Sequence, residues 1–200
     1  MASKSSIKRE LILDNAKQIF IQKGFNRVTM KDIIEKCNIS RGGIYLYYST
    51  VDEIFIDVVI KHNSAKINGI KCSIENATDF NQLIDSFFAE QKEKLLNMDK
   101  SLYAAMIEFC FSHKNRSDRD FYTEQFFNAK DIILELLKFG QQSKSIPEQD
   151  INTLADTIMF LIEGLRSLAV SSGISPELAE SQLQVCKRLV YSDISNEGKR

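Results

Sequence analysis

Residues 29–50 read TMKDIIEKCNISRGGIYLYYST. After Thr29, the residues Met30, Ile33, Ile34 and Cys37 fall at helical spacing, so one face is apolar while Lys31, Asp32, Glu35 and Lys36 occupy the other. Thr29 with Asp32 three positions on is a capping-box variant, supplying acceptors to the amides that a helix start leaves without partners. Asn38-Ile39 then interrupts the pattern as a tight turn, and asparagine tolerates the left-handed backbone such turns often need. Ser40 caps a second short helix, whose inward side chains are Ile44, Tyr45 and Tyr48. The spacing predicts helices over roughly 30–37 and 41–48, with a turn of about three residues between them.

Upstream, Ile12, Ala16, Ile19 and Phe20 share one helical face, and Gly24 stops that helix. Downstream, Thr50 with Glu53 makes a second capping box and opens a longer helix through Ile54, Phe55, Val58, Val59 and His62. Helices of these lengths in this order form a tri-helical helix-turn-helix unit, whose second short helix is shaped to enter a major groove. Its start, Ser40-Arg41-Gly42-Gly43, is nearly free of side chains. Two glycines there cost about 1 kcal/mol each relative to alanine, which makes sense if bulk would clash with a partner. The plainer alternative is a glycine loop that merely precedes a helix.

The stretch Phe20–Phe55, FIQKGFNRVTMKDIIEKCNISRGGIYLYYSTVDEIF, resembles the head of the TetR (TetR/AcrR) family of bacterial repressors. The matching features are Gly24-Phe25, Thr29 with Ile33-Ile34, the string from Ser40 to Tyr48, and Asp52-Glu53-Ile54-Phe55. Within the family, the Arg-Gly-Gly-Ile-Tyr-Leu-Tyr string is most similar to the YfiR branch. The resemblance implies that Arg41, Gly42, Leu46 and Tyr47 face base edges or adjacent phosphates, Arg41 being suited to bidentate contact with guanine. It assigns Thr29, Lys31, Ser40, Tyr47 and Thr50 to phosphates, with Gly43 part of the same close approach. Tyr45 and Tyr48 read either as contacts or as core, with core favoured for Tyr48. Relatives carry a lysine just before the acidic pair. Here that position is Val51, which predicts a shallower salt dependence, with Lys31, Arg27 and helix N-termini left to compensate.

Charge is divided along the chain. The whole carries a net charge of −1, yet residues 1–50 carry +5 and the remainder −6. A basic head on an acidic body suits a polyanion at one end, although ordinary solubility charge reads the same way.

Beyond the head, residues 63–79 are polar and irregular and read as a seam. Helical patterns resume over 79–97, over 102–113, along a long segment ending at Gly140, and from Pro147 to Ser172. Ser175-Pro176-Glu177 opens a last helix with a cap, a proline and an acid. There are two prolines and eight glycines in 200 residues, and no repeat or strand pattern, so the fold class is all-α: an N-terminal helix-turn-helix head and a C-terminal helical body. The expected organisation is a DNA-binding domain over 1–49, a connecting helix and seam over 50–78, and an effector-binding and dimerisation domain over 79–200. The polar tails Met1–Ser6 and Ser192–Arg200 are expected to be mobile.

The family's body encloses a pocket for small, often hydrophobic effectors. Aromatic and Met-rich candidates for it are Phe87, Phe88, Met106, Phe109, Cys110, Phe126, Phe127, Met159 and Phe160, each of which also fits ordinary core. Glu108 and Glu163 stand in apolar stretches, where a carboxylate needs a partner. Either orients an effector, or Glu163 pairs with Arg166 on its own helix. Broad apolar stripes, Leu154, Ile158, Leu161, Leu165 and Leu168, then Leu178, Leu183, Cys186, Leu189 and Val190, suggest burial beyond a monomer's needs. The resemblance makes them a two-fold homodimer bundle; the alternative is intrachain packing.

No run of ~18 apolar residues crosses a membrane, and the N-terminus lacks a signal-peptide core. The four cysteines, Cys37, Cys72, Cys110 and Cys186, stand far apart in apolar segments and read as free buried thiols in a reducing cytoplasm. No phosphate loop, metal-ligand spacing or Ser-His pair points to an enzyme or a cofactor, and His62 and His113 lie on separate helices. The expected partners are double-stranded DNA with a palindromic operator, a small-molecule effector and a second copy of the chain. The rival is a small-molecule sensor or protein-interaction module of the same fold that does not bind an operator.

Overall fold

The computed structural model describes residues 4–77, 79–114 and 116–192, and gives no side-chain description for 100 and 116–119. Among the described residues there are nine α-helices and no strand: α1 (Lys4–Lys23), α2 (Met30–Cys37), α3 (Arg41–Tyr45), α4 (Val51–Glu75), α5 (Phe80–Leu96), α6 (Leu102–Ser112), α7 (Arg116–Gln142), α8 (Ile151–Ser172) and α9 (Pro176–Tyr191). A single 3-10 turn, Met98–Lys100, precedes α6. The all-α fold with an N-terminal helix-turn-helix and a C-terminal helical part is the one the periodicity predicts.

Three boundaries differ from the sequence reading. α3 ends at Tyr45 rather than Tyr48, and a turn follows in which the Tyr47 and Tyr48 amides both donate to the Ile44 carbonyl. Residues 63–75, read as a seam, continue α4 to Glu75. That stretch contains no proline, and a helix satisfies its own backbone even when neither face is apolar enough to show a stripe. α8 begins at Ile151, not Pro147, because the Asp150 carboxylate caps it by accepting from the Asn152 and Thr153 amides. Of the two expected tails, residues 1–3 and 193–200 lie outside the described residues, while Lys4–Ser6 already belong to α1.

The chain divides into two units. The first joins the described residues of 1–65 to those of 99–120, so α6 lies in the same unit as α1, α2, α3 and the start of α4. Its centre is a cluster of rings, each fully or almost fully buried: Phe20 lies 4.8 Å from Phe55, Phe25 lies 5.0 Å from both Phe55 and Phe109, and Phe55 lies 5.1 Å from Phe109. Ile12, Ala16, Ile33, Ile44 and Ile54 complete the core.

The second unit holds α5, α7 from Phe121 onward, α8, α9 and the rest of α4. Phe80, Ile84, Leu136, Leu137, Leu154, Ala155, Ile158, Ala179, Cys186 and Val190 are buried within it. Gly140 is required here, because a Cβ at that position would lie 2.7 Å from the Phe80 ring. Of the four cysteines, Cys37 and Cys186 are buried and Cys110 half-buried, but Cys72 is exposed, against the expectation that all four thiols are buried. Burial pushes the Cys186 thiol up to about 11, so it stays a neutral packing group. No helix among the described residues is long and apolar enough to cross a membrane.

Candidate nucleic-acid interface

Local chemistry fixes both short helices. Asp32 N–H donates to Thr29 Oγ1 at 3.3 Å, and Thr29 N–H donates to Asp32 Oδ2 at 2.8 Å, so the capping box is closed in both directions. The Lys23 ammonium at 2.7 Å and the Thr29 hydrogen bonds hold the Asp32 carboxyl down to about 2. α2 ends at Asn38, whose φ of 50° is left-handed. Ser40 Oγ then accepts from the Gly43 amide at 3.1 Å and starts α3.

The two glycines differ in role. A Cβ on Gly43 would meet Ser40 Oγ at 3.0 Å, so its size serves the cap, whereas a Cβ on Gly42 would meet nothing within 4 Å. Gly42 is bare on the side that faces away from the protein. α3 therefore has a fixed inner row and a displayed outer row. Ile44 is fully buried, and Tyr48 is 4% exposed. The Tyr48 hydroxyl accepts from Arg9 Nε at 3.0 Å and donates to Asp57 Oδ2 at 2.8 Å, joining α1 to α4 beneath α3. Burial pushes the Tyr48 phenol up to about 12, and its hydrogen bond to Asp57 acts in the same direction. Asp57 and Tyr48 together raise the Arg9 guanidinium above its ordinary value, so Arg9 stays cationic beneath a neutral Tyr48 phenol.

Arg41, Gly42, Tyr45 and Leu46 are exposed, and Ser40 and Thr50 flank them at the surface. The Arg41 guanidinium sits over the Tyr45 ring, 5.8 Å from its centroid, a cation–π contact along the helix surface. Tyr48 is thus core and Tyr45 surface. Tyr47 is half-buried and borders a crevice of about 200 Å³ between α1 and α3, lined also by Lys8, Leu11, Ile12, Ile39, Ser40 and Gly43. Lys31 is exposed and pairs loosely with Glu35 at 3.8 Å. The Thr29 hydroxyl is engaged by Asp32, and the Thr50 hydroxyl accepts from the Glu53 amide at 3.1 Å, so both also serve as helix caps. Lys8 escaped the sequence reading because nothing local links α1 to Ser40; only the charge excess of the head hinted at it.

Glu108 of α6 and His113, the residue that follows its C-terminus, serve this same unit. Glu108 Oε2 accepts from the Asn26 amide at 2.9 Å, and its carboxylate fills the space over Gly24, whose φ is +73°. The left-handed backbone favours glycine at this turn between α1 and α2, and a Cβ on Gly24 would approach Oε2 to 2.6 Å and push the Glu108 carboxylate aside. His113, stacked on Phe109 at 4.2 Å, reaches Asp52 at the start of α4 with Nε2 3.1 Å from Oδ2. Phe109 lies in the ring cluster, Met106 is buried and Cys110 half-buried in that unit. These four of the expected pocket residues thus sit with the helix-turn-helix.

In the second unit, Phe87, Phe88 and Met159 are buried, Phe126 is half-buried, and Phe127 and Phe160 are 51% and 65% exposed. Glu163 pairs with Arg166 at 2.6 Å, and Arg166 also donates to the buried Gln91 at 3.1 Å. Of the expected dimer residues, Leu154, Ile158, Leu165, Leu183, Cys186 and Val190 are buried within the single chain, so their apolar area is already used. Leu161 and Leu189 are half-buried, and Leu168 and Leu178 are each 40% exposed. On α8 the outward row is Phe160, Gly164 and Leu168, spaced four residues apart, and a Cβ on Gly164 would meet nothing within 4 Å.

Residues 12–58 match the family model described as bacterial regulatory proteins, tetR family, and residues 83–174 match the tetracyclin repressor-like C-terminal domain. The chain is 29% identical over 159 residues to the HTH-type transcriptional regulator YfiR of Bacillus subtilis (strain 168), covering 77% of this chain and 76% of that protein. It is 28% identical over 108 residues to the biofilm operon icaADBC negative transcriptional regulator IcaR of Staphylococcus epidermidis, covering 54% of this chain and 48% of that one. A transcriptional regulator from Saccharomonospora viridis, solved in complex with choline, shares the fold at 18% identity with a TM-score of 0.71, covering 92% of this chain and 96% of that one. With capped short helices, a displayed α3 face and both halves matched, the chain belongs to the tetR family of bacterial regulatory proteins and is a DNA-binding transcription regulator.

Proposed function

We propose that the chain is a cytoplasmic, non-enzymatic repressor that binds a palindromic operator as a homodimer and is released by a small, largely hydrophobic effector. In this reading residues 1–49 bind DNA, 50–78 connect, and 79–200 supply effector binding and dimerisation. The observation that carries it is the two-sided α3: Ile44 is locked inside while Arg41, Gly42 and Leu46 stand outside. Arg41 pairs with a guanine edge. Ser40, Tyr47, Lys31 and Lys8, the last beside the crevice, hold backbone phosphates and set register.

Two heads on one dimer reach successive major grooves about 34–36 Å apart. The similarity to IcaR, a negative regulator, supports repression. For the effector, the support is the set of buried Phe87, Phe88 and Met159 in the second unit, together with its Gln91–Arg166–Glu163 chain. A choline-bound fold neighbour makes a cationic effector a natural first trial. Such a cation would have to displace Arg166 from Glu163. The effector lowers operator affinity only as far as it binds the two conformations differently.

The test is fluorescence anisotropy of the full chain on palindromic duplexes from DNA upstream of its own gene. Arg41→Ala is expected to weaken binding about 10- to 100-fold, and wild-type affinity to fall log-linearly with salt. Binding to the palindrome that is no tighter than to a scrambled duplex, or is untouched by Arg41→Ala, favours the sensor or protein-interaction module instead.

A further inference from the structure

An exposed leucine on its own is ordinary. Leu46 is 82% exposed, and its setting is not ordinary. Its backbone is still helical, with φ −71° and ψ −18°, so it lies one turn beyond Gly42 on the same outward row. The open space at Gly42 leaves nothing of the protein standing in front of it. Beside that row runs the Arg41–Tyr45 stack. The displayed face of α3 is therefore one forked cation, one bare backbone position and one branched apolar group. Among base-edge features in a major groove, the group that an apolar side chain recognises is the C5-methyl of thymine.

We propose that Leu46 reads a thymine methyl in each operator half-site, as a specificity-determining residue that acts beside Arg41. The proposal rests on the operator-binding reading and names part of the sequence it recognises. Leu46 lies five steps along the helix from Arg41, a rise of about 7.5 Å. The thymine therefore lies about two base-pair steps from the guanine that Arg41 contacts. Gly42 assists by omission: a side chain there would meet the groove before Leu46 reached it.

The probe is a duplex selected by the full-length protein from a randomised pool. Each thymine is then replaced singly by uracil, which removes only the methyl. Affinities are measured for the wild type and for Leu46→Ala. One thymine per half-site is expected to cost the wild type about fourfold when replaced, the worth of one buried methyl, and about sixteenfold when replaced in both half-sites. Leu46→Ala is expected to bind the thymine and uracil duplexes equally. The proposal is overturned if no uracil substitution changes wild-type affinity, or if Leu46→Ala suffers the same loss as the wild type. A pool that yields no preferred duplex overturns the operator reading itself, and this inference with it.

Discussion

Replacing Phe109 with alanine is expected to lower the melting temperature by about 10 °C, the largest loss of stability among the substitutions considered. Phe109 is fully buried, 5.0 Å from Phe25, 5.1 Å from Phe55 and 4.2 Å from His113. Removing such a ring costs about 3–5 kcal/mol through lost transfer energy and the cavity left behind. In a chain of this size each kcal/mol moves the transition by about 2–4 °C. The ring reaches the cluster from α6, so the loss is felt in the unit that carries α3, and operator binding should fall with stability. Phe127→Ala, at a 51% exposed position, should stay within about 1 kcal/mol of the wild type. Differential scanning calorimetry distinguishes the two. A loss at Phe109 as small as that at Phe127 would mean that its ring faces an effector cavity rather than closing a core.

Gly164→Arg is expected to leave the monomer folded and to dissociate the dimer. The position is mid-helix in α8 and open, so the added side chain meets nothing in its own chain. Leaving glycine also removes a helix penalty of about 1 kcal/mol. Within a dimer formed across the Phe160–Gly164–Leu168 row, the same side chain brings a charge into apolar surface. That costs about 3 kcal/mol or more, above 100-fold in dimer affinity. Sedimentation velocity reads the species directly, and the palindrome should be bound far more weakly because only one half-site is engaged at a time. A variant that remains dimeric would place the interface elsewhere.

These two residues also show what a sequence can and cannot reveal. The helix-turn-helix was legible because its signals are local: Thr29 and Asp32 cap each other, Asn38 turns left-handed, and Ser40 caps Gly43. The end of α3 was not, since no glycine or proline marks it. Tyr48 is held by Arg9 and Asp57, 39 and 9 residues away, and periodicity carries no trace of that triad. Glu108 was recognised as a carboxylate in need of a partner, but the partner is a backbone amide 82 residues earlier. The stripes on α8 and α9 were read as intersubunit surface, yet burial by a neighbour in the same chain and burial by a second copy impose the same spacing. Only the exposure of Phe160, Leu168 and Leu178 separates what α8 and α9 have spent from what they still offer.

The central claim is that the outer face of α3 lies in a DNA groove. It is tested most directly by photocrosslinking the dimer to its palindromic duplex, with a benzophenone amino acid placed at position 46 or, as control, at exposed position 127. The account predicts a light-dependent protein–DNA adduct from position 46 and none from 127. A protein that binds the duplex yet crosslinks only from 127 would contradict it.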